Sequence, residues 1–172
     1  LIPAYVDAMK EHLRKGVEVE KLELGGFMNK TELAKSSHIP NQIALRLYKE
    51  LNQLYVNNKI SGDQLITLDK EIKSFTDIIG ACERIKNTPI PFSYNIFLKK
   101  FIFVYTLTLP FGLTHDFHYW AVPISTFVLY VFGSLELLAE EIEDPFGNDE
   151  NDLPTDNLAE KIRLHVKEII SV

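Results

Sequence analysis

The sequence predicts an all-α membrane protein: two transmembrane helices combined with a cytoplasmic helical bundle. Three observations carry that reading. Apolar residues recur at spacings of three and four through most of the chain, the period of a helix with one buried face. Residues 101–115 (FIFVYTLTLPFGLTH) and 117–135 (FHYWAVPISTFVLYVFGSL) hold no formal charge when histidine is neutral, and only Asp116 separates them. An acid-rich run, ELLAEEIEDPFGNDEND, follows directly. Two apolar runs of near-bilayer length around a short polar break have the pattern of a membrane hairpin. The alternative is a pair of buried helices in a soluble protein.

The first helix is expected over Ala4–Lys15. Pro3 suits a first turn, and Val6, Met9 and Leu13 share a face from which Lys10, Arg14 and Lys15 are excluded. Gly16 is a stop and Gly25-Gly26 a loop. Asn29, with Glu32 three residues on, resembles a capping box for a short helix over 30–36. Ser36-Ser37-His38 breaks the pattern and Pro40 opens the next helix, 41–57, whose stripe is Ile43, Leu47, Leu51 and Leu54. After a turn around Lys59-Ile60, Asp63 is positioned to cap a long helix over 64–86. Its stripe is Leu65, Leu68, Ile72, Phe75, Ile79 and Cys82. Pro89 and Pro91 end it, because each disfavours helix in the residue before it.

The first apolar segment is adequate as a span if it begins near Ile96, with Lys99 and Lys100 reaching back towards headgroups. The second runs over 120–138, with Tyr119 and Trp120 at an interface and Glu136 near the exit. Positive residues Arg84, Lys86, Lys99 and Lys100 precede the hairpin, which places that side in the cytoplasm and HDFHYW outside. The last helix is expected over 156–170 with Thr155 as cap and Leu158, Ile162, Val166 and Ile169 on one stripe. The resulting division is 1–95 cytoplasmic, 96–139 transmembrane, and 140–172 acidic loop and cytoplasmic helix.

Composition excludes several functions. A net charge of −6 and a pI near 5.4 argue against nucleic-acid binding. One cysteine, Cys82, allows no internal disulfide and reads as a packing residue. The chain opens on Leu1 with no visible signal peptide, so it reads as a piece of a longer protein. No nucleophile elbow, P-loop, dinucleotide fingerprint or HExxH occurs, and nothing argues for an enzyme. His115 and His118 have ligand-compatible spacing, but the residues fit a surface loop better. The acidic knot 140–152 has enough oxygen donors for a hard divalent cation such as Ca²⁺. It lacks the glycine and closing glutamate of an EF-hand, and a solvated loop is the plainer reading.

ERIKNTPIPFSY (83–94), LTLPFGL (107–113) and AEEIEDPFGNDENDLP (139–154) resemble the bestrophin family of pentameric ion channels, most clearly over residues 80–170 and in wording closer to bacterial members. That resemblance implies a homopentamer around one axial pore in the cell membrane, for a bacterial member the inner membrane, with its vestibule in the cytoplasm. It implies passive conduction of small inorganic ions, chloride or monovalent cations, in contact with membrane lipid and with no required cofactor. The narrow neck would lie upstream of this chain. A second constriction, the aperture, falls on Ile60 with Leu65 as the alternative. A Ca²⁺ clasp corresponds by position to Asp144, Asn148, Asp149 and Asp152, although animal members have Asn where this chain has Asp144. The alternative from a different class is a non-channel membrane scaffold that binds a partner through its cytoplasmic helices.

Overall fold

The computed structural model describes residues 1–149 and 151–171, and every regular element among them is helical. Contacts divide the chain into two compact units, Leu1–Asn87 with Leu153–Val172, and Thr88–Asp152. The last helix therefore belongs with the first part of the chain, a grouping that composition alone does not reveal.

The first unit contains α1 (Ile2–Arg14), a 3-10 turn (Val19–Lys21), α2 (Lys30–Leu33), α3 (Ile39–Val56), α4 (Gly62–Asn87) and α7 (Thr155–Ser171). Its core gathers Ala4, Tyr5 and Ala8 of α1, Val19, Leu22 and Leu24 of the following loop, Leu33 of α2, and Ile43 and Ala44 of α3. Tyr5 is fully buried: its ring meets Phe75 of α4 edge-on at 4.9 Å, and its hydroxyl donates to the Phe75 carbonyl at 2.5 Å. Small residues at positions 4 and 8 let the backbone of α1 lie close to its neighbours. The buried face of α1 is thus Ala4, Tyr5 and Ala8 with Leu13. Val6 and Met9 of the expected stripe pack only at its margin. Lys10 and Arg14 are turned to α7, where Lys10 Nζ meets Asp156 Oδ1 at 2.8 Å and Arg14 meets Asp156 Oδ2 at 2.7 Å. Arg163 and Asp7 add a third pair between the same helices at 2.5 Å.

Helix starts differ from expectation in three places. Asn29 does cap α2, but through the Thr31 backbone N–H at 3.0 Å and the Thr31 hydroxyl at 2.7 Å. The start of α4 is capped by Ser61, not Asp63. Ser61 Oγ accepts from Gln64 N–H at 3.2 Å while Gln64 Oε1 accepts from Ser61 N–H at 2.9 Å, a reciprocal capping box. The Thr155 hydroxyl caps nothing; it is buried with no hydrogen-bond partner among the described residues.

The second unit is built on α5 (Phe92–Phe117) and α6 (Ala121–Glu143), joined by a 3-10 turn, His118–Trp120. His118, which opens this turn, has a positive φ of +50. The helices are antiparallel. Ile90 and Asn95 meet Glu143, Lys99 meets Glu136, and Tyr105 meets Phe132, so partner numbers add to nearly the same value along the pair. Both helices outrun the expected spans: α5 starts before Ile96, and α6 continues through Glu140 and Glu141, since glutamate is a good helix former.

Candidate functional site

A core helix of a soluble protein would be buried. Instead, α5 buries no residue over its whole length, and Phe92, Phe97, Phe103 and Phe111 are 64–81% exposed. On α6, Val122, Phe127 and Tyr130 are equally open. Phe92–Glu143 is a helical stretch long and apolar enough to cross a membrane. Four of its threonine hydroxyls are satisfied within their own helix. Thr106, Thr108, Thr114 and Thr126 each donate to the carbonyl four residues earlier, at 2.5–2.9 Å, which leaves no side-chain donor facing outwards from them. Thr114 takes the carbonyl of Pro110, the residue that interrupts the ladder of α5. Where the helices meet, Ala121 and Ser125 form a small, buried i, i+4 pair that permits close approach.

The open end of the hairpin is polar. Glu143 accepts from the Ile90 backbone N–H at 2.8 Å and from Asn95 Nδ2 at 3.2 Å. Lys99 Nζ lies 3.0 Å from Glu136 and 3.5 Å from Glu140. A cleft of about 380 Å³ lies beside these groups, lined by Tyr94, Leu98, Phe101 and Leu135 with Glu136, Glu140 and Glu143 at its polar edge.

The acidic loop is folded around one carboxylate. Asp144 ends α6, Phe146 is buried, and the loop turns back so that Asp152 Oδ2 accepts from Asp149 N–H at 2.7 Å. A Cβ at Gly147 would lie 2.5 Å from Asp152 Oδ2, so a larger residue there has to push that carboxylate aside. Asn151 Nδ2 donates to Glu141 Oε2 at 2.7 Å, tying the loop to the last turns of α6. Asp144, Asn148 and Asp149 are exposed and Asp152 is half-buried. Glu150 of the same run lies outside the described residues. The carboxylates of Asp144, Asp149 and Asp152 do not converge into a three-ligand group among the described residues.

Ile60 is half-buried in the turn before α4, where Asn58 takes φ +54. Leu65 is half-buried in the first turn of α4, and its N–H donates to Ser61 O at 2.9 Å. His115 and His118 are both exposed, but not in a loop: His115 lies in the last turn of α5 and His118 opens the 3-10 turn that follows. Cys82 is free and half-buried; burial and the neighbouring Glu83 push its thiol pKa up.

One constellation was not legible in the sequence. His12 of α1, His38 before α3 and Glu83 of α4 converge, with both imidazole Nε2 atoms 2.7 Å from Glu83 Oε1. Burial raises the pKa of the carboxyl, but the hydrogen bonds from His12 and His38 outweigh burial and hold it below the ordinary carboxylate value. No spacing motif joins positions 12, 38 and 83; only the packing of three elements does.

Comparison with known proteins places this architecture. The profile of the Bacterial/Fungal Bestrophin protein family matches residues 1–168. A protein of Salmonella typhi named "Voltage-dependent anion channel-forming protein YneE" is 34% identical over 164 residues, covering 94% of this chain and 53% of its own length. A Synechocystis protein of the same descriptive name is 30% identical and is covered over 56% of its length. This chain thus spans about half the length of those relatives. Crystal structures of a bacterial bestrophin homologue from Klebsiella pneumoniae superpose closely. The D179A form gives a TM-score of 0.89 at 32% identity, over 97% of this chain and 63% of that one. The Y211A form gives 0.91 at 31% identity, over 99% and 64%. The chain belongs to the bacterial and fungal bestrophin family.

Proposed function

We propose that this chain is the later part of a subunit of a bestrophin-like channel that passes small inorganic ions passively across a bacterial inner membrane. The observation that carries the reading is the uncovered apolar surface of α5 and α6 in a chain of this family. Such a surface is unstable in water and is satisfied by lipid and by further protein. The names of the relatives, anion channel-forming proteins, favour chloride over monovalent cations as the permeant ion.

In this reading the hairpin crosses the bilayer twice and the unit carrying α1–α4 and α7 forms the cytoplasmic vestibule. Exposed apolar residues on that unit support assembly with other copies: Val56, Ile66 and Ile85 are each more than half exposed, as are Ile169 and Ile170. Five copies around one axis, with Ile60 or Leu65 facing it, would provide an apolar ring that resists wetting and so sets the barrier to ions. Permeation itself requires no cofactor. A Ca²⁺ ion at Asp144, Asn148, Asp149 and Asp152 would act as a regulator, and its binding would compete with the Asp149 N–H for Asp152 Oδ2.

The test is reconstitution of the full-length protein into liposomes with asymmetric potassium chloride. Currents reversing near the chloride equilibrium potential are expected. Reversal near the potassium potential would assign cations instead, and pentamers without flux would favour a membrane scaffold.

A further inference from the structure

We infer that His12, His38 and Glu83 form a binding site for a zinc-class divalent metal ion. The three side chains come from three separate elements, and their ligand atoms all lie within 4.8 Å of one another. Two imidazoles and one carboxylate are the donor set of a zinc or cobalt site; calcium and magnesium prefer oxygen alone. The two imidazole rings lie 4.5 Å apart, tilted by 35°, and direct their Nε2 atoms at the same carboxylate oxygen. All three side chains are about one quarter exposed, so an ion can reach them and a water can complete the coordination.

The geometry needs little adjustment. Bonds of ~2.0–2.1 Å around a tetrahedral ion separate ligand atoms by roughly 3.3 Å. The two imidazole-to-carboxylate separations of 2.7 Å therefore have to open by about 0.6 Å, within reach of small χ rotations, and the third ligand pair lies within 4.8 Å. His38 has a specific part in this. Its Nδ1 accepts the Asn41 backbone N–H at 3.2 Å, which places the proton of the neutral ring on Nε2. Metal at Nε2 moves that proton to Nδ1 and gives up the Asn41 contact, a long and weak one. Loading the site exchanges one N-terminal cap of α3 for a metal bond that joins α1, α3 and α4. The competing account is a metal-free hydrogen-bonded trio that staples the same helices.

The experiment uses the full-length protein in detergent, stripped with a chelator and titrated with Co²⁺. Visible ligand-field absorption that saturates at one ion per chain and is bleached by Zn²⁺ is expected. His12→Gln and Glu83→Gln should each weaken Co²⁺ binding by at least about tenfold while leaving the helical circular dichroism unchanged. The absence of a saturable band, or unchanged affinity in both variants, overturns the site. Should a variant lose its helical signal, carbethoxylation of the wild type mapped by mass spectrometry decides. Zn²⁺ should protect His12 and His38 from the reagent, and equal labelling with and without Zn²⁺ overturns the proposal.

Discussion

Replacing Tyr5 by phenylalanine should flatten the alkaline limb of the stability curve. The Tyr5 side chain is about 1% exposed and its hydroxyl donates to the Phe75 carbonyl. Burial first, then the negative potential of Cys82 and Glu83, push its phenol pKa from the ordinary 10.0 up to about 12. The sign follows from proton counting: the unfolded chain releases this proton near pH 10 while the folded chain retains it. Stability from the neutral phenol is therefore complete below pH 10 and lost as the pH climbs to about 12. Two pH units at about 1.4 kcal/mol each make the loss about 3 kcal/mol. At pH 8 the variant should be weaker by only about 1 kcal/mol, because the Phe75 carbonyl keeps its helical bond and loses one further donor. The curves should therefore cross, with the wild type ahead by ~1 kcal/mol at pH 8 and behind by ~1 kcal/mol at pH 12, where half of the folded phenol is still protonated. Urea unfolding followed by circular dichroism in detergent measures both. Tyr48 and the lysines titrate in both proteins, so the gap between the curves isolates Tyr5. A gap constant from pH 8 to 12 would refute the reasoning.

Gly147→Ala should displace the Asp152 carboxylate from the Asp149 amide and cost about 1 kcal/mol; unchanged hydrogen-exchange protection at Asp149 would count against it. Ser61→Ala should cost about 1 kcal/mol by opening the capping box, whereas Asp63→Asn should cost less than half of that in the same thermal melt. Asp156→Asn removes two partners of a largely exposed carboxylate, so the loss at pH 7 should be at most about 1 kcal/mol and shrink in high salt. The Lys10 and Arg14 hydrogen bonds hold the Asp156 pKa below the carboxylate range, so this contribution is present above about pH 4 and disappears on further acidification. Ile60→Ala should change conductance or selectivity in bilayer recordings, and an identical current–voltage curve under asymmetric salt would remove Ile60 from the aperture.

The helices were legible because each carries a three-and-four spaced stripe, and the hairpin because two charge-free runs flank one aspartate. The face of α1 was not. Lys10 and Arg14 look like solvated positions until Asp156, supplied by α7, gives them partners, and that turns Ala4 and Ala8 inward in place of Met9. The cap of α4 is present in the sequence as Ser61 and Gln64, but Asp63 is as good a capping residue as serine, so residue type alone does not choose between them. The hairpin's full length was hidden by its acids, because Glu140 and Glu143 read as a loop until Lys99 and the Ile90 amide are placed beside them. The acidic loop was visible as composition alone. Its folding around Asp152 depends on a contact with Gly147 that no charge count contains.

The pairing of α1 with α7 has a consequence for biosynthesis. Lys10 and Asp156 are 146 positions apart, so at roughly 5–20 residues per second a ribosome adds Asp156 some 7–30 s after Lys10. Throughout that interval Asp7, Lys10 and Arg14 lack their partners on α7, while the whole of α5 and α6 is synthesised. The unit whose two segments flank the hairpin in sequence therefore closes only after both of its helices have been synthesised. The C-terminal helix acts as a final latch on that unit, set only after α1 to α6 have all been made.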